Sequence, residues 1–408
     1  MKKPELLIPA GSLDVLMTAV LFGADAVYIG GEAFSLRAKA RNFSAEDMAR
    51  GIAFAHARGV RVYITANIFA RSSDLESVRR YFEELALLSP DALIISDPGV
   101  FDIAREVLPE MEIHISTQAN NTNYGTYRFW YRLGAKRVVA ARELSLAEIA
   151  QIRANIPEDM EIEVFVHGAM CISYSGRCLL SNYFTGRDAN RGACTHPCRW
   201  KYAVMEETRP GEYLPIEQDE GGTYLFNSRD LCMVEHIPEL VRAGIDSFKI
   251  EGRMKTALYI AAAARTYRRA IDDYFTDPAL YETNLPWYRQ QITDCTYRGF
   301  TTGFFFGQPD AGAQIYDNST YIKEYTYLGT VSEIRDDGFC RIMQKNKFSV
   351  GETVEIMKPD GGDRRVKVLR IEDEEGGEME SAPHSRQILW IRLEETPKQH
   401  DILRRQEV

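Results

Sequence analysis

Four cysteines lie close together near the middle of this 408-residue chain, in the segment CISYSGRCLLSNYFTGRDANRGACTHPC. They are Cys171, Cys178, Cys194 and Cys198. Four thiolates can hold a [4Fe–4S] cluster, and a cluster tolerates uneven ligand spacing. Two alternatives stay open. Structural zinc is the first, although it usually shows tighter spacings, and a set of buried thiols without a ligand is the second. Cys232 is an alternative fourth ligand, whereas Cys295 and Cys340 are isolated.

The same segment is rich in cations and aromatic rings. Residues 177–202 include several basic residues and a single acidic residue, Asp188. Cations that contact phosphates and rings that stack on bases are what single-stranded RNA loops require. We therefore predict RNA binding by Arg187, Arg191, Arg199, Trp200 and Lys201. The alternative is a solvated surface in which arginine stems pack on aromatic rings.

A second group of polar residues stands at the ends of short apolar runs that read as strands. Carboxylates and an imidazole there are candidates for acid–base catalysis, and cations and amides are candidates for binding an anionic small molecule. The catalytic candidates are His167, Glu143 and Glu251, and the substrate-binding candidates are Asn67, Gln118, Arg142, Arg177, Lys249 and Arg253. Asp97 ends another such run. For any one of them, a strand-end cap or a salt bridge is the simpler interpretation.

Eight β-branched runs alternate with amphipathic helix patterns, which predicts an α/β fold with a (β/α)8 TIM-like barrel. The runs cover 5–9, 26–30, 61–67, 92–97, 112–117, 137–142, 161–167 and 247–251. The helix patterns cover 13–22, 46–58, 74–88, 98–107, 123–133, 146–154, 229–243 and 256–275, with Ser12, Ser44 and Ser145 as N-caps. A doubly wound open sheet is the alternative, but LIPAGS lacks the glycine-rich first turn of that fold. In a barrel, the strand-end residues converge on one mouth.

The domain pattern predicts a barrel over 1–275 with a Cys-rich insertion after the seventh strand, at about 168–228. An insertion of that size belongs to the face where barrel active sites are built. Residues 276–324 read as a helical and extended connector, with RGFTTGFFFG extended. Short strands with Asp-Gly turns over 325–408 predict a small β-barrel. They cover 327–334, 339–344, 352–357, 364–371 and 387–392.

Composition excludes several classes of protein. With 45% hydrophobic and 26% charged residues, the chain is not disordered or collagenous. The longest apolar runs are too short to span a membrane, and the first residues do not form a signal peptide, so we expect a cytoplasmic protein. The net charge of −10 argues against whole-molecule attraction to nucleic acid but not against a local basic patch. Two protease signatures are missing from the sequence, the HExxH zinc-binding helix and the GxSxG nucleophile elbow.

Several motifs together resemble peptidase family U32, the collagenase-like peptidases. They are LIPAGSLDVLMTAVLFGADAVYIGG, HISTQANNTN, EVFVHGAMCISYSGRCLLS, the RGAC and PCRW stretches, NSRDLC and SFKIEGRMK. The long form of the chain is similar to that family's tRNA hydroxylation branch. The resemblance implies an oxygen-independent hydroxylase that forms 5-hydroxyuridine at the tRNA wobble position, with a [4Fe–4S] cluster and prephenate as hydroxyl donor. It also implies that the tRNA anticodon loop and a small dicarboxylate are partners.

The resemblance leaves the fourth cluster ligand open between Cys198 and Cys232, because some relatives use a cysteine placed like Cys232. Two other classes of function also remain open. One is a peptidase that uses a single activated thiol such as Cys171 near His167, and the other is a non-catalytic RNA-binding protein with a structural zinc ion. The oligomeric state, as a homo- or hetero-oligomer, is not specified by the sequence.

Overall fold

A computed structural model describes the larger part of the chain. The described residues are 2–31, 34, 43–170, 180–187, 189, 194–197, 203–204, 214–215, 227–295, 297–307, 314–315 and 324–407. Among the cysteines of interest, Cys194 and Cys232 belong to this part, whereas Cys171, Cys178 and Cys198 lie outside it. Arg177, Arg191, Arg199, Trp200 and Lys201 also lie outside the described residues.

Eight parallel strands form a closed barrel. The first seven are β1 (Glu5–Pro9), β2 (Ala26–Ile29), β3 (Arg61–Ala66), β4 (Ala92–Ile95), β5 (Glu112–Ile115), β6 (Arg137–Val139) and β7 (Glu161–Gly168). The eighth strand, Ser247–Ile250, pairs with both β7 and β1 and so closes the cylinder. The eight strand runs predicted from the sequence are all present, and the TIM-like fold class is confirmed.

Helices cover the outside of the barrel. They are α1 (Leu13–Leu21), α2 (Ala45–His56), α3 (Leu75–Ala86), α4 (Pro98–Val107), α5 (Tyr124–Arg132) and α6 (Leu146–Arg153), followed later by Ile237–Arg242, Ala257–Thr276 and Pro278–Thr293. The predicted N-caps form: the hydroxyls of Ser12, Ser44 and Ser145 accept backbone N–H bonds, and Ser145 with Glu148 makes a capping box. Each cap fixes where the chain turns from strand to helix at the barrel mouth.

The inside of the barrel is filled partly by ionised side chains. Arg137 is 2% exposed and contacts carboxylates of Glu5, Glu161 and Glu163. The hydroxyl of Tyr63 donates to Glu5 at 2.6 Å. Because buried charges are tolerated when they are paired and hydrogen-bonded, this network can replace the usual apolar filling of a barrel. Its members lie near the amino ends of the strands, opposite the mouth.

The C-terminal region forms an antiparallel barrel. Its strands are Tyr325–Ile334, Phe339–Met343, Thr353–Met357, Arg364–Glu372, Ile388–Leu393 and Ile402–Gln406. The pairing of Thr353–Met357 with both Ile402–Gln406 and Arg364–Glu372 closes the ring, so the predicted small β-barrel is confirmed. The closing strand Ile402–Gln406 is absent from the sequence prediction because its ILRRQ pattern shows only a short apolar run.

The two barrels share one packed interface. Tyr325, Met357 and Ile402 of the C-terminal barrel belong to the same apolar cluster as the helices of the TIM-like barrel. Arg404, 2% exposed, reaches Asp294 at 3.3 Å across this interface. The buried apolar contact and the ion pair together hold the C-terminal barrel against Ala257–Thr276 and Pro278–Thr293.

Two predicted elements differ from the structure. Residues 229–243 were expected as one helix but form a strand, Asp230–Cys232, then a 3-10 turn, Val234–His236, and a short helix, Ile237–Arg242. The strand forms because it pairs with the end of β7 and with Phe300–Thr301, a long-range contact that periodicity does not reveal. The second element is RGFTTGFFFG, which was expected to be extended. Only Phe300–Thr301 forms a strand there, and Gly303 has a φ of 57° that turns the chain.

Short described segments complete the chain: the helix Leu180–Thr185 and strand pairs at 203–204 with 214–215, 227–228 with 314–315, and 348–349 with 381–382. The strand Glu378–Met379 extends the C-terminal sheet. Within the described ranges, no helix is long and apolar enough to cross a membrane.

Candidate active site at the barrel mouth

Two of the predicted substrate-binding amides meet at the rim. Asn67 follows β3, and Gln118 lies in the 3-10 turn Thr117–Ala119 after β5. The amide of Asn67 donates to the hydroxyl of Ser116 at 3.4 Å, and that hydroxyl lies 3.4 Å from the amide oxygen of Gln118. Ser116 therefore links two turns that are far apart in sequence. A linked pair of amides at a strand end can recognise donor and acceptor groups of a ligand.

The guanidinium of Arg253 lies at the top of the barrel, near β3. It donates to the hydroxyl of Thr65 at 2.9 Å, and that hydroxyl in turn donates to the carbonyl of Ile29 at 3.0 Å. Arg253 is only 5% exposed. A buried guanidinium held in one position suits the recognition of a carboxylate or a phosphate.

Arg142 provides a second cation at the rim, in the turn after β6. It donates to the carbonyl of Ala169 at 2.7 Å, and its guanidinium lies 3.9 Å from the centre of the Phe165 ring. The carbonyl and the ring hold the guanidinium in one orientation, through hydrogen bonding and cation–π attraction. Glu143 follows it in the same turn and is half-buried.

Glu251 stands at the carboxyl end of the eighth strand. Its carboxylate lies 3.4 Å from the hydroxyl of Tyr28, which also donates to the carbonyl of Ile250 at 2.9 Å. Tyr28 points into the barrel, and the ammonium of Lys249 lies 4.4 Å from its ring centre. This contact connects the mouth to the charged interior below it.

Lys249 itself lies inside the barrel. It is 4% exposed, and its ammonium donates to Glu163 at 2.6 Å. Lys249 was predicted to be a substrate ligand; its observed partner is a carboxylate of the protein, and its substrate role stays a prediction.

His167 occupies an aromatic pocket between the barrel and its covering helix. Its ring centre lies 5.7 Å from Tyr259, 5.5 Å from Tyr267 and 6.0 Å from Phe300. An irregular register between β7 and the eighth strand, at Lys249 and Ile250, places His167 opposite Ile250. Burial lowers the pKa of His167 to about 4, so the imidazole is neutral at physiological pH. This packing makes His167 a support for the end of β7, and its catalytic role stays a prediction.

Cys232 is the cross-strand neighbour of His167 in the antiparallel pair of β7 and Asp230–Cys232. Burial raises the pKa of the Cys232 thiol to about 11. A cysteine nucleophile requires the opposite, a lowered thiol pKa beside a protonated imidazole. The pair therefore lacks the electrostatics of a cysteine peptidase dyad.

Of the four cysteines predicted to hold a cluster, the structure describes Cys194, in addition to the alternative ligand Cys232. Cys194 is half-buried and reduced, and its sulfur accepts a hydrogen bond from the backbone N–H of His196 at 3.4 Å. Hydrogen bonds to sulfur are a feature of thiolates that hold iron–sulfur clusters. Cys194 thus fits a cluster ligand in donor chemistry. In the described part of the chain, no three His, Cys, Asp or Glu side chains are grouped as a metal site.

Arg187, the described member of the predicted RNA-binding residues, is exposed just after the helix Leu180–Thr185. Asp97 is not part of the mouth chemistry, since its carboxylate caps α4 by accepting from Gly99 and Val100. Ser116 and Thr65 were not among the predicted site residues, although each lies one or two residues before the end of a predicted strand. Thr65 lies two residues before Asn67 and Ser116 two residues before Gln118, and this position was the available signal.

Comparison with known proteins places this site in context. Residues 11–315 match the model of peptidase family U32, and residues 323–404 match that of the family's C-terminal domain. The tRNA hydroxylation protein P1 of Bacillus subtilis is 38% identical over 394 residues, covering 96% of this chain and 92% of that protein. The tRNA hydroxylation protein P of Escherichia coli is 38% identical over 431 residues, covering 96% of this chain and 94% of that protein.

A further relative acts on a different RNA according to its name. The 23S rRNA 5-hydroxycytidine C2501 synthase of Escherichia coli is 37% identical over 268 residues, covering 66% of this chain and 39% of that protein. The similarity to this relative is thus confined to a part of its length.

Proposed function

The chain belongs to peptidase family U32, and on that premise we propose that it is an RNA hydroxylase whose substrate is tRNA. The observation that carries the proposal is the match to two tRNA hydroxylation proteins over almost their whole length. The relative named for 5-hydroxycytidine formation in 23S rRNA supports base hydroxylation as the shared chemistry. The raised thiol pKa of Cys232 beside the neutral His167 disfavours a peptidase that uses this pair, whereas Cys171, the thiol predicted for a peptidase, lies outside the described residues.

In the finer form of the proposal, the product is 5-hydroxyuridine at the wobble position. The anticodon loop docks on the basic and aromatic insertion, which includes the exposed Arg187, and on the C-terminal barrel. The wobble uridine leaves its stack and enters the barrel mouth, as bases do in enzymes that modify them. The amides of Asn67 and Gln118 then face the edge of the base, held in register by Ser116.

The two arginines at the rim bind the second substrate. We assign to Arg142 and Arg253 the carboxylates of a small dicarboxylate, with prephenate as the hydroxyl donor. Two fixed cations can hold a dianion in one orientation relative to the base, which raises the effective concentration of its reacting group. Glu143 and Glu251 are the rim carboxylates that can take up or return a proton on the base.

The cofactor in this proposal is a [4Fe–4S] cluster. Cys171, Cys178, Cys194 and Cys198 would hold it, with Cys232 as the alternative to Cys198. When bound, such a cluster would supply one-electron transfer. The enzyme would act in the cytoplasm, where its tRNA substrate is found.

Mass spectrometry of tRNA nucleosides from a deletion strain tests the function. We expect 5-hydroxyuridine and its derivatives to disappear, and to return when the wild-type gene is supplied. An Arg253→Met variant should fail to restore them, whereas Arg128→Met, a change on the outer face of α5, should restore them fully. Unchanged tRNA nucleosides in the deletion strain would overturn the tRNA proposal, and a loss of 5-hydroxycytidine from ribosomal RNA would redirect it.

A further inference from the structure

Arg253 makes a hydrogen bond to a strand that is not next to its own. It lies in the turn after the eighth strand, whereas its partner Thr65 lies in β3. In the barrel, β1 and β2 stand between these two strands. The arginine side chain therefore extends across the top of the barrel interior to make the contact, and it is only 5% exposed there.

The base of this side chain is fixed by the backbone. The carbonyl of Arg253 lies against Gly11, where an added Cβ would come within 2.2 Å of the carbonyl oxygen. In the same turn, the carbonyl of Glu251 accepts a hydrogen bond from the hydroxyl of Tyr259 at 3.1 Å. These contacts set where the arginine side chain starts. They do not set where its tip lies, because an arginine has several rotatable bonds.

Thr65 provides a fixed point for the tip. Its hydroxyl accepts from Nη1 of Arg253 at 2.9 Å and donates to the carbonyl of Ile29 in β2 at 3.0 Å. Thr65 is 4% exposed, and a β-branched side chain has few rotamers. Because β2 and β3 pair in a fixed register, the bond to Ile29 orients the hydroxyl and directs its lone pairs. The acceptor for Arg253 is thus oriented by the sheet itself.

One fixed contact is sufficient to orient the whole guanidinium. Its N–H donors lie in one rigid plane, so holding Nη1 sets the direction of the others. A carboxylate is bound best when two of these donors meet its two oxygens in that plane. Without the contact to Thr65, the arginine side chain would have to be ordered each time a ligand binds, and this ordering costs affinity.

We propose that Thr65 is a positioning residue whose hydroxyl fixes the guanidinium of Arg253 for the carboxylate of a small dicarboxylate before that ligand binds. The inference rests on the proposed function, which assigns a substrate carboxylate to Arg253, and it adds the residue that orients this arginine. Thr65 acts through Arg253 and needs no contact with the substrate. Its role is to reduce the ordering that binding requires.

Calorimetric titration of prephenate into the anaerobically purified full-length protein tests this role. Thr65→Val keeps the shape of the side chain but lacks the hydroxyl. We expect its Kd to rise about three- to tenfold, the cost of ordering one long side chain on binding. In turnover, KM for prephenate should rise by the same factor while kcat stays unchanged. Thr65→Ser restores the hydroxyl and should bind prephenate as the wild type does.

Thr18→Val is the matched control for the loss of a buried threonine hydroxyl. Thr18 is 0% exposed in the second half of α1, and its hydroxyl donates to the carbonyl of Asp14 at 2.9 Å. This variant should bind prephenate with the affinity of the wild type. Thermal melting reports whether each variant is folded. If Thr65→Val does not fold, Thr65→Ala, which lacks the same hydroxyl, takes its place with the same expected rise in Kd.

A double variant separates positioning from a general structural role. If Thr65 acts through Arg253, Thr65→Val should weaken prephenate binding no further once Arg253→Met has removed the guanidinium. Additive losses in the double variant would overturn the inference, as would wild-type affinity in Thr65→Val or an equal loss in Thr65→Ser. Failure of the wild type to bind prephenate would instead overturn the dicarboxylate assignment in the proposed function, and the role of Thr65 with it.

Discussion

The ammonium of Lys249 lies 2.6 Å from a carboxylate oxygen of Glu163, and both side chains are buried in the centre of the TIM-like barrel. The other oxygen of Glu163 lies 3.0 Å from Arg137, so a single carboxylate joins two cations. Desolvation would raise the pKa of Glu163, but the charges of Lys249 and Arg137 outweigh it, and the pKa is lowered. The barrel below the mouth is thus held by ionised groups that depend on one another.

Removing one partner of this pair should destabilise the protein strongly. We expect Glu163→Gln to lower the free energy of unfolding by about 3–5 kcal/mol, because it leaves two buried cations with less compensation. The double variant Glu163→Leu with Lys249→Met should recover part of that loss, since it removes one charge of each sign. Urea unfolding of the three proteins provides the measurement, and a double variant as unstable as Glu163→Gln would contradict the pairing.

The same double variant separates the structural from the substrate role of Lys249. If Lys249 binds only Glu163, the folded double variant should keep a wild-type KM for the dicarboxylate. A KM raised more than tenfold in a protein that remains folded would show that Lys249 also contacts the substrate.

Lowering the pH should destabilise the TIM-like barrel, because its buried carboxylates become protonated. Burial alone would raise the pKa of Glu5, yet the charge and hydrogen bonds of Arg137 bring it from 4.5 to about 2. Burial acts likewise on Glu112, where His114 and Arg61 bring the pKa to about 2. Because both values are lower in the folded state, each carboxylate contributes on the order of 3 kcal/mol above pH 4.5, and this contribution disappears as the pH falls towards 2.

Urea midpoints measured from pH 7 to pH 3 should therefore decline steeply below about pH 4.5. The Glu112→Gln variant should be less stable at pH 7 but show a shallower decline, because it has one carboxylate fewer to protonate. Equal slopes for the variant and the wild type would contradict the lowered pKa of Glu112.

Much of this architecture could be predicted from the sequence, and the reasons are local. Buried parallel strands such as Arg61–Ala66 are short continuous β-branched runs, and caps such as Ser145 with Glu148 have a fixed spacing. The family resemblance rested on motifs and is confirmed by the match of residues 11–315. The rim amides were found because they end strands.

The parts that could not be predicted depend on contacts between distant residues. Asp230–Cys232 has the composition of a helix start, and only its pairing with β7 makes it a strand. His167 was expected in the mouth because it ends a predicted strand, but it packs against Tyr259 and Tyr267, where the register between β7 and the eighth strand is irregular. No pattern within one segment records such a shift.

Substitution of Arg142, in the turn after β6, tests whether the barrel mouth binds a dicarboxylate. Arg142→Met keeps the length of the side chain and its packing on Phe165 but removes the charge. We expect KM for the dicarboxylate to rise by about 10–100-fold, which is the value of one or two charge-assisted hydrogen bonds. Binding of the RNA should change less than threefold. Equal losses in RNA and dicarboxylate binding would indicate a folding defect or a different substrate assignment, and thermal melting distinguishes the two.

Metal content decides the cofactor and its fourth ligand. Anaerobically purified wild-type protein should contain about four irons per chain and absorb broadly at ~400 nm, as expected for a [4Fe–4S] cluster. Cys194→Ala should lose the iron and the absorption, whereas Cys340→Ala, a change in the buried core of the C-terminal barrel, should keep both. Colourless wild-type protein with one zinc ion per chain would contradict the assignment of a [4Fe–4S] cluster.

Comparison of Cys198→Ala with Cys232→Ala then resolves the alternative ligands. Cys232 lies 3.8 Å from the hydroxyl of Tyr267, which donates its single proton to the carbonyl of Val166 at 2.8 Å. Burial raises the pKa of the Cys232 thiol to about 11, so ionisation of this sulfur to a thiolate ligand would be costly in this arrangement. We therefore expect Cys198→Ala to lose iron and Cys232→Ala to retain it; the reverse result would mean that Cys232 turns away from Tyr267 when the cluster binds.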